Sequence, residues 1–265
     1  MNHKHQHIIL AAALLLLLTP TVALAWGQSG HNAVTAIAEA NLTPKARETI
    51  EKYIDGKSII HYAVWMDWFR HTPEFAHTSP WHTAAVDTNF DYDPEPKRET
   101  GDAISATEHS IAALRDYKAL PPETVAFHIR ILVHAIGDWH CPSHVKYHGI
   151  DTKFSMFLGA RGVTYHSVWD ATVVDEHKWG YLEWAHQLNR LPKDKIAKIT
   201  AGTPRDWFRQ TALDCRLIYD WVKPGQKLEG TGYRDFINKA LPLAESQIQK
   251  AGYRLAKVLN DLFDE

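Results

Sequence analysis

Apolar positions recur every three or four residues through most of the chain, the spacing of helices with one buried face. The clearest run is Ile237, Leu241, Ala244, Ile248, Ala251, Leu255, Val258 and Leu262. It predicts one stripe along a helix of about 30 residues, with a kink at Pro242. Other helix starts carry their own punctuation. Thr43-Pro44 and Thr203-Pro204 place a capping side chain before a proline suited to the first helical position. Ser105-Ala106-Thr107-Glu108 has capping-box spacing, which predicts Ser105 as an N-cap. Pro121-Pro122-Glu123 opens a segment expected to run to about His140. No strict two-residue alternation bounded by hairpin turns is present, so no hairpin is predicted. Residues 71–100, with Pro73, Pro80, Pro94 and Pro96, form the main irregular stretch, and loops of that length are often functional. The expected fold class is all-α, a single multi-helix domain.

The first 25 residues stand apart from this pattern. Ile8–Leu18 is an unbroken apolar run, Pro20 ends it, and Ala23-Leu24-Ala25 offers small residues for processing. The run is about half the roughly 20 residues that a membrane span needs. We expect a signal peptide over 1–25, cleavage between Ala25 and Trp26, and a domain over 26–265; an uncleaved anchor is the alternative. Export to the periplasm or the medium follows, without a stable membrane partner. An exported chain meets an oxidising compartment. With only Cys141 and Cys215 available, it can form at most one internal disulfide, and the sequence leaves their pairing open.

Composition sharpens the picture at two points. With 29 Lys and Arg against 31 Asp and Glu, the chain has no basic excess to capture nucleic acid at long range. Any such contact must be local or made through metals. The 17 His are unevenly spread, and five of them fall between Phe127 and His148. There His134 and Asp138 are four residues apart and share a helical face. Pro142 is expected to turn the chain so that His144 approaches from another direction. His166 and Asp170 repeat the four-residue spacing. Two His/Asp pairs and a third His suffice for more than one metal ion, and imidazole with carboxylate suits zinc.

In chain order, the sequence carries Trp26-Gly-x3-His31, Trp65-Met-Asp67-x2-Arg70, Trp81-His82, His134-x3-Asp138-x5-His144 and His166-x2-Trp169-Asp170. This ordered set resembles the S1/P1 nuclease family of zinc-dependent phosphodiesterases, which is related to zinc-dependent phospholipases C. The resemblance implies three Zn2+ ions. One would be held by Asp67, His82, His134 and Asp138, and a second by His144, His166 and Asp170. The third would be held by the amine and carbonyl of Trp26 with His31 and Asp138, so that Asp138 bridges two ions. A chain terminus alone offers such an amine, and its reference pKa of about 7.7–8 lets a metal displace the proton near neutral pH. Zinc lowers the pKa of bound water to roughly 7, which gives hydrolysis a nucleophile. Arg70, one turn past Asp67, would pair with phosphate oxygens as negative charge builds; Arg70 and Asp138 are the expected catalytic residues. The implied substrates are single-stranded DNA or RNA, or 3′-nucleotides.

The match breaks just after His82. Family nucleases commonly place an aromatic residue next to this ligand and Asp or Asn three positions after it. This chain has Thr83 and Ala85, and Asp87 is out of register. Before His166, Val163-Thr164-Tyr165 replaces an Asn-containing approach. Base stacking, the usual way to hold single strands, would then fall to Phe90, Tyr92, Tyr147, Phe154 or Tyr165. Two other functions compete: a phospholipase C-like hydrolase of lipid headgroups, and a non-enzymatic exported zinc-binding protein. The short gap between Trp26 and His31 and the Asp170 ligand resemble the nuclease branch more than the phospholipases. Arg70, which is no metal ligand, weighs against the zinc-binding protein. Oligomeric state is left open.

Overall fold

A computed structural model describes residues 26–93 and 99–264. The expected signal segment, Pro94, Pro96 and Glu265 lie outside the described residues. The chain is mostly helical, as its periodicity predicts. The first half holds α1 (Gln28–Ala40), α2 (Pro44–Tyr53), α3 (Trp65–Phe69), β1 (Ala84–Val86), β2 (Tyr92–Asp93), α4 (Ala103–Leu114) and α5 (Pro122–Asp138). After it come β3 (Val145–Tyr147), β4 (Ser155–Leu158) and β5 (Arg161–Thr164). A helical run then begins with α6 (Tyr165–Ser167) and ends with α7 (Val173–Asp175). The last part holds α8 (Tyr181–Leu188), α9 (Lys193–Ile199), α10 (Pro204–Cys215), α11 (Ile218–Trp221), β6 (Lys227–Leu228) and α12 (Gly230–Phe263).

The 34-residue α12 is the spine of the core. Its predicted stripe is buried from Ile237 to Leu262, with Leu241 partly covered. Pro242 sits on its exposed side, and the helix runs on through it. α1 lies along α12. The approach is close because Gly252 faces Ile37: a Cβ at Gly252 would stand 2.6 Å from the Ile37 Cβ. α4 packs on α5, and α8 on α1.

Thr43 and Thr203 cap α2 and α10 as expected; their side chains accept from the amides of Ala46 and Asp206. The start of α4 differs from expectation. Asp102 is the N-cap, and Ser105 is the return partner of the capping box at the third helical position. A carboxylate three residues upstream outcompetes the Ser105 hydroxyl, because it accepts from both the Ile104 and Ser105 amides.

The six short strands among the described residues were not predicted. They form two three-stranded sheets, ordered β2-β1-β3 and β5-β4-β6. Segments of two to four residues are too short to show alternation. Two pairings are local and antiparallel, β1 with β2 and β4 with β5, and the second is a tight hairpin around Gly159-Ala160 that corrects the expectation of none. The other two are non-local: β1 runs parallel to β3 with Ala84 opposite Val145, and β4 runs parallel to β6. The β1–β3 pairing joins the middle of the irregular stretch to the turn after α5. Among the described residues, no helix is long and apolar enough to cross a membrane.

Candidate metal centre

Five separate pieces of chain converge on the buried end of α5. His134 and Asp138 project from its last turns. After Trp139 the chain turns, and Pro142 opens a single 3-10 turn that ends on His144. His82 ends another 3-10 segment (Ala76–His82), just before β1. The parallel β1–β3 pairing therefore brings His82 and His144 side by side, and His144 Nδ1 donates to the His82 carbonyl at 2.6 Å. Asp67 comes from α3 and is almost wholly buried. His31 comes from α1 and rests on α5 at Gly137, where a Cβ would lie 3.0 Å from its Nδ1. Its ring stacks on His134 with centroids 4.1 Å apart.

His166 and Asp170 lie in the helical run 165–175. Here the Val173 amide bonds to the Val168 carbonyl five residues back, a π-type turn that contains Asp170. Such turns recur at functional sites. The Gly27 amide donates to the Asp170 carbonyl, which ties the first described residues to this turn. Trp26 is fully buried beside Gly30, where a Cβ would stand 3.1 Å from its ring.

Asp138 is the hub. Its oxygens lie 3.3 Å from His31 Nε2, 2.8 Å from His82 Nδ1, 3.1 Å from His134 Nε2 and 3.5 Å from His144 Nδ1. Asp67 stands 3.7–4.0 Å from His82, His134 and His31. Asp170 stands 3.5 Å from His144 and 3.2 Å from His166. Three groups have possible ligand atoms within 4.8 Å of one another: His31, His134 and Asp138; Asp67, His82 and His134; Cys141, His144 and Asp170. The grouping differs from expectation at two points. His134 reaches toward His31 as well as Asp67, and Cys141 joins the third group where His166 was expected. His166 flanks that group, with its ring stacked on His144 at 4.7 Å.

These residues fit a metal cluster on hydrogen-bonding grounds. Both oxygens of Asp67 and of Asp138, both ring nitrogens of His31, Nε2 of His82 and of His144, and Oδ2 of Asp170 are buried without a hydrogen-bond partner. The ion-pair distances above lack the alignment of hydrogen bonds. Each such orphan costs about 1–3 kcal/mol, so their concentration at one place calls for a ligand. The tautomers agree. His134 Nδ1 donates to the Ala63 carbonyl at 2.7 Å, and His144 Nδ1 to the His82 carbonyl. Each bond fixes the proton on Nδ1 and leaves the Nε2 lone pair for a metal.

The electrostatics point the same way. Burial lowers the pKa of His31, His82 and His166 and favours the neutral, ligating form. Burial alone would raise Asp138, but the imidazoles of His134, His144 and His82 outweigh it and hold its carboxyl well below the usual range. Burial opposes charge on His134, yet Asp138 and Asp67 raise it to about 9. His144 rises against burial because of Asp138 and Asp170. The carboxylates thus demand positive charge among them, which protons or metal ions can supply.

Arg70 caps α3 and places Nη2 3.7 Å from Asp67 Oδ1, so it borders the cluster as expected. Cys141 and Cys215 are both buried and free, with no disulfide between them. Burial and the neighbouring Asp170 push the Cys141 thiol well up. Ser143, not anticipated, donates to Asp170 Oδ1 at 3.2 Å. The only sequence cue for either was proximity to His144.

Asp87 does not serve the cluster: its Oδ1 accepts from the Asn89 and Asp91 amides and shapes a turn. Most of the expected base-stacking residues are structural. Tyr147 and Tyr165 are buried and donate to the carbonyls of Ala212 and Ile218. Phe154 stacks on Tyr165. Phe90 and Tyr92 pack half-buried against the core, and Tyr92 donates to Asp102.

Comparison with known proteins gives a consistent answer. Endonuclease 4 of Arabidopsis thaliana is 26% identical over 95% of this chain and 94% of its own length. Nuclease S1 of Aspergillus oryzae is 24% identical over 93% of this chain and 96% of its own. Nuclease P1 of Penicillium citrinum is 24% identical over 89% and 97% respectively. The S1/P1 nuclease family profile matches residues 26–264, the whole of the described fold. With that match and the buried cluster together, the chain belongs to the S1/P1 nuclease family, hydrolases that act on phosphoester bonds.

Proposed function

We propose that this protein is an exported phosphodiesterase that cleaves single-stranded nucleic acids and 3′-nucleotides with three zinc ions. The observation that carries the reading is the buried set of orphaned carboxylate and imidazole atoms centred on Asp138. Asp67, His82, His134 and Asp138 would hold one ion, and His144, His166 and Asp170 a second. The Trp26 amine and carbonyl, with His31 and Asp138, would hold the third. Bound zinc supplies activated water near neutral pH and Lewis acidity toward phosphate oxygens.

The chain's own residues do the rest. The Nδ1 bonds of His134 and His144 keep those rings in the ligating orientation. Ser143 holds Asp170 in place. Arg70, three residues past Asp67 and largely buried, would offer its guanidinium to the phosphate as charge builds. The place of Trp26 in the cluster rests on cleavage after Ala25, since only a free amine can ligate. Its burial, and the Gly27 bond to Asp170, support that position. Export makes correct processing a condition of activity.

Parallel assays on single-stranded DNA, RNA, 3′-AMP and phosphatidylcholine, with and without chelator, test the reading. Chelator-sensitive cleavage of the nucleic substrates is expected. Turnover of phosphatidylcholine alone would reassign the enzyme to lipid headgroups, and no zinc-dependent turnover of any substrate would end the nuclease reading.

A further inference from the structure

The cluster is bordered by an open pocket of about 370 Å³. His166 and Ser143 line it, and both contact Asp170 at 3.2 Å. Lys146, Lys153, Thr83, Thr152 and Thr164 make up much of the remaining lining. No Asp or Glu lines it among the described residues. Its one aromatic, Phe154, is 9% exposed and already stacked on Tyr165, with centroids 4.8 Å apart and planes 19° from parallel. No ring face remains there for a base.

The sheet explains the charge. One row across it reads Asp93, Ala85, Lys146. Neighbours in such a row point to the same face, and Ala84, Val86, Val145 and Tyr147 fill the opposite, buried face. Ala85 therefore presents a methyl, three positions after His82, where family nucleases commonly carry Asp or Asn. The neighbouring strand adds a cation beside it. Lysines and hydroxyls without a stacking surface are the lining of a phosphate receptor, not of a nucleobase slot.

We propose that this pocket is a subsite for a second phosphate. It takes the phosphate that flanks the scissile one on an oligonucleotide, and Lys146 and Lys153 are its specificity-determining residues. The inference rests on the phosphodiesterase reading above and deepens it. The enzyme should favour substrates with an additional phosphate over those with the scissile phosphate alone.

The test compares the thymidine dinucleotide TpT with its 5′-phosphorylated form pTpT on the zinc-loaded protein. For the wild type, kcat/KM should be about five- to tenfold higher for pTpT, carried by KM, the size expected of two partly exposed ion pairs. In K146A/K153A the ratio should fall to about one. Calorimetric binding of uncleavable methylphosphonate-linked analogues, with and without the 5′-phosphate, should give the same ratios without chemistry. A wild-type ratio of one in both measurements overturns the subsite, as does a preference that survives in the double variant. If neither dinucleotide is cleaved but the binding preference appears and depends on the lysines, the subsite stands and the phosphodiesterase reading fails.

Discussion

Two buried polar regions lie on either side of the end of α5, and they contrast sharply. On one side Arg254, 1% exposed, donates to His140 Nε2 at 2.8 Å, to the Ile199 carbonyl at 3.0 Å and to Gln210. His140 Nδ1 in turn donates to the Ile136 carbonyl at 2.7 Å. Burial brings Arg254 down to about 10, so it stays charged at neutral pH, and His140 is held well below its usual range by burial and Arg254. Donors and acceptors close on one another there. On the other side, only two residues before His140, the imidazoles and carboxylates around Asp138 leave their inward atoms without partners. Histidine content does not distinguish the regions; satisfaction does. A closed network is complete as protein, and an open one is the frame of a site.

Breaking the open side should have the largest functional effect. Asp138→Asn removes the charge nearest to His31, His82, His134 and His144 together. Metal analysis should show two zinc ions lost, with activity down by more than the 10- to 100-fold typical of changes one layer out from a metal. Loss of a single ion would contradict the bridging role.

Breaking the closed side should damage the fold and leave the cluster alone. Arg254→Leu strands His140 Nε2 and the Gln210 carbonyl oxygen, at a cost of about 3 kcal/mol in unfolding free energy. Denaturant melts should show this loss with zinc content unchanged. A drop in zinc in folded R254L would mean that the two regions are coupled.

A smaller change sharpens the boundary. Ser143→Ala removes the hydroxyl bond to Asp170 but no ligand. Competition with a chelator should show about tenfold weaker hold on one ion and unchanged hold on the others, as expected for a residue that positions a ligand. Equal weakening of all three would place Ser143 in a global role.

The sequence disclosed the open region well because its parts are local. His134 with Asp138 and His166 with Asp170 are readable as four-residue spacings, and the α12 stripe as a three-four repeat. Part of what escaped depends on distant pairing. The β1–β3 match puts Ala85 beside Lys146 across some sixty residues of chain, and neither segment is long enough to show a period. Cys141 reaches Asp170 through the same turn that delivers His144, and no spacing foretells that contact. The Asp102 cap was displaced to Ser105 because both residues fit the signal, and only the helix start separates them. The aromatics offered for base stacking failed for a related reason: sequence reveals a ring but not the carbonyl or second ring that already occupies it.

The central claim is that the orphaned cluster around Asp138 is completed by three zinc ions and a free amine at Trp26. Zinc stoichiometry of two purified forms tests it most directly: one that starts at Trp26 and one that retains a single extra residue before it. The account predicts three ions per chain in the first. It predicts two in the second, because the chelating amine has become an amide. Equal zinc content in the two forms, with equal activity, would contradict it.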